Sequence, residues 1–184
     1  MFFETQDLIA DNLAMSDADD FHRICNQPFV LKWMADWEMG LVEVRDLLSY
    51  FITGYEIKNP EQVPFILAIR TKEKKLIGIC GFGPKEELGG EAEIAYFIDE
   101  NFSGKGYMGQ VVDKAICFYF ALTNKPYLCA LVDESNTPSK RILLRNGFTY
   151  QNVEDLTAYL NHTIDSTKPN KHSVPICVAI VECS

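Results

Sequence analysis

The sequence is poor in basic residues. It contains 17 lysines and arginines against 26 aspartates and glutamates, which gives a formal net charge of −9. Proteins that bind the phosphate backbone of nucleic acids need Lys and Arg to displace counterions, so no nucleic-acid partner is predicted. The acidic balance suits a cationic substrate such as an amine, and acidic solubility explains it equally well.

Long apolar runs are also missing, and no leader is predicted. No apolar segment reaches the roughly 20 residues that a membrane-spanning helix needs. The opening residues Met1-Phe2-Phe3-Glu4 carry no basic region of the kind that begins a signal peptide. We therefore predict a cytoplasmic protein without a membrane partner.

The sequence has no metal-binding or disulfide signature. None of its six cysteines forms a Cys-x-x-Cys pair, and its three histidines show no metal-ligand spacing, so no metal site is predicted. The even cysteine count does not indicate disulfides in a chain of this length without a secretion signal. Four cysteines lie within apolar runs and are predicted to be small core residues: Cys80, Cys117, Cys129 and Cys177.

What the sequence does contain is the composition of one globular domain. Its 184 residues are 47 % hydrophobic and 23 % charged, which is enough to build a sizeable core. No internal repeat or low-complexity linker divides the chain, so a single domain over residues 1–184 is predicted. Monomer and homodimer are both compatible with the sequence.

Apolar periodicity predicts the helices. The clearest helix covers residues 41–57, and a short helix precedes it, with its start at Ser16-Asp17 and its end at about Asn26. A second stripe at helical spacing runs from Val112 to Phe120. A further helix over 138–146 is bounded by Thr137 as N-cap, a first-turn proline and Gly147 as C-cap.

Apolar segments between turn signals predict the strands. They are residues 5–13, 64–70, 75–82, 91–99, 126–132, 148–150 and 174–181. The polar segment 161–173 is predicted to be a mobile loop. The resulting order, β-α-α-β-β-β-loop-α-β-α-β-β, fits neither a doubly wound sheet nor a barrel of repeated units.

The strongest functional signal is a glycine-bearing segment between a strand and a helix, with the sequence Ser103-Gly104-Lys105-Gly106-Tyr107-Met108-Gly109. Its glycines let the backbone approach a ligand closely. Free N–H groups at the start of the following helix bind phosphate or pyrophosphate. A plain flexible turn is the alternative. Lys105 is followed by Gly106 rather than Ser or Thr, so the segment is not a nucleoside-triphosphate loop.

This segment resembles the central motif of the GNAT superfamily of N-acetyltransferases, Gln/Arg-x-x-Gly-x-Gly/Ala. Gly106 is kept, whereas Ser103 replaces Gln/Arg and Met108 replaces the small residue. A second stretch, 136–148, resembles the family segment Asn-x-x-Ser/Ala that ends in Gly-Phe. Together with Glu93-Ile94-Ala95-Tyr96-Phe97-Ile98, these motifs look closest to the RimJ/RimL-like branch, which acetylates N-termini of ribosomal proteins.

The resemblance implies a fold and a cofactor. The fold is α/β (α+β), a single domain with a mixed, mostly antiparallel sheet of about six to seven strands that splays in the middle, flanked by about four helices. The co-substrate is acetyl-CoA, whose pantetheine arm lies in the splay. The implied contacts are the backbone of Phe97 and Ile98 with pantetheine, the amides of Gly104, Lys105, Gly106, Tyr107, Met108 and Gly109 with the pyrophosphate, Asn136 with the pantetheine arm and Ser139 with the phosphate side. Helix-start roles for Asn136 and Ser139 are the alternatives.

Three further residues are candidates for the chemistry. Glu93 lies in a predicted strand beside apolar neighbours, where a carboxylate suits a general base near neutral pH, and an exposed strand acid is the equal alternative. Trp33 and Trp37 fall in the region that walls the acceptor site in the family, and core packing is at least as compatible with tryptophan. Many family members place a tyrosine seven residues after the motif asparagine. This chain has Leu143 there, as the RimJ/RimL-like branch commonly does.

The function predicted on this basis is transfer of an acetyl group from acetyl-CoA to a primary amine by direct attack in a ternary complex. The acceptor is a protein N-terminal α-amine or a small cationic amine. A non-catalytic acyl-CoA-binding module that regulates a partner is the alternative, because only the enzyme needs a base and an open acceptor cleft.

Overall fold

The computed structural model describes residues 1–123, 125–151 and 176–182. The predicted mobile loop 161–173 lies outside these residues. The described strands form one sheet in the order β1-β2-β3-β4-β5-β6-β8-β7. They are β1 (Phe3–Glu4), β2 (Leu8–Asn12), β3 (Phe65–Thr71), β4 (Leu76–Pro84), β5 (Ala92–Ile98), β6 (Tyr127–Asp133), β7 (Thr149–Gln151) and β8 (Ile176–Glu182).

Five α-helices are described. They are α1 (Ala18–Cys25), α2 (Pro28–Leu31), α3 (Leu41–Ile57), α4 (Tyr107–Leu122) and α5 (Thr137–Arg145). None of the helices in the described part of the chain is both long and apolar enough to span a bilayer.

The sheet consists of two antiparallel parts joined by one parallel contact. Strands β1 to β5 pair antiparallel in chain order, and β6, β8 and β7 form the second antiparallel part. Between them, β5 and β6 run parallel and share a single register pair, Glu93 with Cys129. The sheet therefore splays between β5 and β6, which confirms the predicted mostly antiparallel sheet with a split in its middle.

Helices cover the sheet on both faces, and β5 shows how the sequence achieves this. Successive strand residues point to opposite faces. Ala92 and Ile94 belong to the core that α4 and α5 complete. Phe97 belongs to the core on the other face, together with residues of α1 and α3. The fold thus has three layers, with β5 in contact with both cores.

Most predicted elements are observed within one or two residues of their expected bounds, and helix 41–57 is observed unchanged. The predicted strand 5–13 is instead two strands. The Thr5 hydroxyl accepts hydrogen bonds from the amides of Asp7 and Leu8, and this turn separates β1 from β2. With this extra strand, the described residues form eight strands rather than about six to seven. The four-residue helix α2 likewise raises the number of α-helices from about four to five.

Two local predictions were wrong. The N-cap of α5 is Asn136 rather than Thr137, because the Asn136 side chain accepts a hydrogen bond from the amide of Ser139 at 3.2 Å. Cys117 is exposed on α4, whereas Cys80 and Cys129 are buried as expected. Gly147 adopts φ +83° just after α5, as a C-terminal cap requires.

Candidate active site

The glycine segment forms a tight loop that opens α4. Gly104 and Gly106 have φ values of +73° and +78°, and Gly106 is the N-cap of the helix. An added Cβ at either position would meet no atom within 4 Å. The backbone conformation, rather than a lack of space, therefore requires glycine at both positions.

The loop leaves a run of backbone donors free. Ser103 donates to the carbonyl of Glu100, and Gln110 donates to that of Gly106. The six amides between them, in residues 104–109, have no hydrogen-bond acceptor among the described residues. Consecutive free N–H groups at the positive end of a 16-residue helix are a ready site for an anionic group such as a pyrophosphate. The residues present therefore fit the predicted cofactor.

A buried carboxylate fixes the start of this loop. Asp99 follows β5, is 1 % exposed, and accepts hydrogen bonds from Arg23 at 2.6 Å, from Gln27 at 3.2 Å and from both the backbone and the side chain of Asn101. Burial alone would raise the pKa of Asp99, but these hydrogen bonds outweigh it and lower the pKa to about 2. Gln27 also accepts from the amide of Glu100 at 2.9 Å, so α1 and the N-cap residue of α2 hold the loop.

This anchor was not predicted from the sequence. Its one local sign is the spacing Asp99-x-Asn101 directly after an apolar strand, which is typical of a side chain that caps a turn. The contact with Arg23 joins residues 76 positions apart, and no local pattern indicates it.

The splay between β5 and β6 is bordered by the predicted base. Glu93 is half-buried, and its Oε1 accepts a hydrogen bond from the amide of Leu131 at 3.2 Å. Its Oε2 lies 3.8 Å from the Nζ of Lys85. Beyond Glu93, the β6-facing edge of β5 has no strand partner in the described structure, and this stretch includes Phe97 and Ile98.

Across the splay, Asn136 and Ser139 lie at the start of α5, where Asn136 is the N-cap. The Asn136 side chain caps the helix, which is the helix-start role left open by the sequence. The hydroxyl groups of Ser139 and Tyr96 share a hydrogen bond at 2.7 Å, which links α5 to β5. Burial raises the pKa of the Tyr96 phenol, and the contact with Ser139 opposes part of that rise. Leu143 is buried in the core below.

The two tryptophans occupy different settings. Trp37 is packed among Phe21, Phe51 and Phe97, and its ring centroid lies 5.2 Å from that of Phe97 in an edge-on arrangement. It therefore contributes to the core beside β5. Trp33 is partly buried, and the Nζ of Lys32 lies 4.6 Å above its ring.

Cys129 pairs in register with Glu93 at the closed end of the splay. Burial raises the pKa of its thiol to about 12, with further contributions from the carboxylates of Glu91 and Glu93. A thiol in this environment is a poor nucleophile, because the thiolate is the reactive form.

Known proteins resemble this chain over most of its length. The family model described as an acetyltransferase (GNAT) domain matches residues 7–149. The uncharacterized N-acetyltransferase p20 of Bacillus licheniformis is 30 % identical over 148 residues, which are 80 % of each chain. A ribosomal-protein-serine acetyltransferase of Escherichia coli (strain K12) is 31 % identical over 94 residues, or 51 % of this chain and 52 % of that protein. A solved structure of RimL, a ribosomal L7/L12 alpha-N-protein acetyltransferase in complex with coenzyme A, has a TM-score of 0.74 at 16 % identity and covers 97 % of this chain and 95 % of that one.

Proposed function

The chain belongs to the GNAT acetyltransferase family, in its RimJ/RimL-like branch, and on that premise we propose that it transfers an acetyl group from acetyl-CoA to a primary amine. The observation that carries the proposal is the run of six free amides in residues 104–109, at the open end of the gap between β5 and β6. If these amides bind the pyrophosphate of acetyl-CoA, the pantetheine arm attached to it lies beside the unpaired edge of β5. Phe97 and Ile98 supply the backbone of that edge.

In the proposed reaction, the acceptor nitrogen attacks the thioester carbonyl directly while both substrates are bound. The amine loses a proton to Glu93, directly or through one water, and the carbon–sulfur bond then breaks to release the thiolate of CoA. Leu143 cannot donate a proton to this thiolate. A thiolate with a pKa near that of free cysteine, about 8.5, is a tolerable leaving group without such a donor.

The acceptor that we propose is the α-amine of a protein N-terminus, with a small cationic amine as the second possibility. An α-amino group has a pKa of about 7.7–8.0, so a carboxylate base can deprotonate it readily. A lysine side chain has a pKa of about 10.4 and is harder to deprotonate. RimL, a ribosomal L7/L12 alpha-N-protein acetyltransferase by its name, supports this choice, as does the relative named as a ribosomal-protein-serine acetyltransferase. The net charge of −9 favours cationic acceptors of either kind.

Steady-state turnover of acetyl-CoA tests the proposal, with a panel of peptides with free N-termini, polyamines and anionic amines. We expect turnover with α-amines. Binding of CoA without turnover of any amine would favour a non-catalytic acyl-CoA-binding module instead. Failure of the wild-type protein to bind CoA in calorimetry would remove both possibilities.

A further inference from the structure

Two lysines are held on one aromatic ring beside the glycine loop. The Nζ of Lys105 lies 5.1 Å from the ring centroid of Phe102, and the Nζ of Lys75 lies 5.4 Å from the same centroid. Phe102 ends the short turn that Asp99 caps, one residue before the loop begins. Lys75 comes from the turn between β3 and β4. Two segments distant in the sequence therefore each place an ammonium group within 5.4 Å of the same ring centroid.

Neither of these two ammonium groups has an acidic partner in the described part of the chain. Within the described ranges, neither Lys75 nor Lys105 has a carboxylate oxygen within 4 Å, although acids outnumber bases 26 to 17. Four other lysines do have one: Lys72, Lys85, Lys114 and Lys125. Lys75 and Lys105 are also both exposed. The pair is thus an accessible positive site on an acidic protein, and the ring of Phe102 positions both charges.

The position of the pair indicates what it binds. A CoA nucleotide carries its diphosphate and its 3′-phosphate on the same ribose. If the amides of residues 104–109 hold the diphosphate, the 3′-phosphate comes within reach of a side chain on the same loop. A phosphate monoester carries a charge of about −1.5 to −2 at pH 7, and lysine ammonium groups bind such groups as point charges.

We propose that Lys75 and Lys105, held on Phe102, bind the 3′-phosphate monoester of the cofactor nucleotide. This inference rests on the proposed use of acetyl-CoA. It assigns a role to the Lys105 side chain that is separate from that of its backbone amide, and it adds Lys75, which no sequence motif indicates.

Calorimetry with CoA and with dephospho-CoA, which lacks only the 3′-phosphate, tests the inference. We expect the wild-type protein to bind CoA about tenfold more tightly, because an exposed charge pair contributes up to about fivefold for each ammonium. Lys75→Gln and Lys105→Gln should each lower this preference, and the double variant should bind CoA and dephospho-CoA equally well. Added salt should reduce the preference of the wild-type protein.

Arg45→Gln is the matched control, because Arg45 is an exposed cation on α3, and it should keep the wild-type preference. Phe102→Leu keeps both charges but removes the ring, and it should give an intermediate preference. A double variant with the full wild-type preference overturns the inference and leaves the proposed function intact. Wild-type protein that binds neither ligand overturns the proposed function, and this inference with it.

Discussion

The carboxylate of Glu93 accepts a hydrogen bond from the backbone amide of Leu131 across the gap between β5 and β6. The two strands share one register pair, so this side-chain contact extends their connection by one more hydrogen bond. Glu93 thus supports the narrow end of the gap while one of its oxygens remains near Lys85. Glu93 therefore combines a proposed role as general base with a structural role in connecting β5 to β6. A substitution that tests the first role must leave the second unchanged.

Glu93→Gln separates these roles, because the glutamine oxygen can still accept from Leu131 while the base is lost. We expect kcat to fall by roughly a hundredfold, the lower range for removal of a general base. The acid limb of the pH–rate profile should flatten, and the melting temperature should change little. Glu56→Gln, at an exposed position on α3, is the control and should remain active. A fully active Glu93→Gln enzyme would refute the assignment of the base.

Gly106→Ala should weaken CoA binding strongly, because a residue with a Cβ is strained at φ +78° and will shift the amides that follow. Gly90 provides a matched control, since it has φ +92° and equally open surroundings but lies in the turn before β5. Both variants should lose roughly 1–3 kcal/mol of unfolding free energy. Only Gly106→Ala should lose affinity for CoA in calorimetry, and an equal loss in Gly90→Ala would contradict the binding role of the loop.

Asp99→Asn should destabilise the protein in a pH-dependent way. The folded pKa of Asp99 is about 2, below the ordinary value of 3.8, so its stabilising effect is present above pH 4 and is lost as the pH falls toward 2. The expected contribution at pH 7 is about 2 kcal/mol. Urea unfolding of both proteins at pH 7 and pH 3 measures it. A difference in unfolding free energy that stays constant between these pH values would show that the charge of Asp99 is unimportant.

Cys129→Ala should retain most of the activity, because the buried thiol has a pKa of about 12 and direct attack by the amine needs no acyl-cysteine. Mass spectrometry of the wild-type enzyme after mixing with acetyl-CoA alone should show no added acetyl group. Initial-rate patterns should be those of a ternary complex. Ping-pong kinetics together with an acetylated Cys129 would replace the proposed mechanism with a covalent one.

Local patterns predicted most of the fold. Helix α3 was predicted to the residue, because its apolar positions repeat at helical spacing within the segment itself. The N-cap of α5 was misplaced by one residue because Asn136 and Thr137 are both good caps, and only the structure shows which side chain accepts from the amide of Ser139.

The candidate site was predictable where it depends on backbone conformation and less so where it depends on distant contacts. The glycine spacing predicted the loop at 104–109, and both Gly104 and Gly106 adopt positive φ values. The contacts of Asp99 with Arg23 and of Phe102 with Lys75 join segments that are remote in the chain. Such pairs depend on how the strands are ordered, which periodicity within one element does not encode.

The single parallel pair at the centre of the sheet also has a consequence for the order of folding. The antiparallel strands β3, β4 and β5 are adjacent in the chain, so their pairing closes only short loops and costs little chain entropy. By contrast, β6 pairs with β8 across 43 residues even at its nearest pair, Asp133 with Ile176. Nucleation is therefore expected in the β3–β5 meander, and the C-terminal strands are expected to add late. Because few backbone hydrogen bonds cross the junction, the two parts should also exchange their amide hydrogens as separate cooperative units.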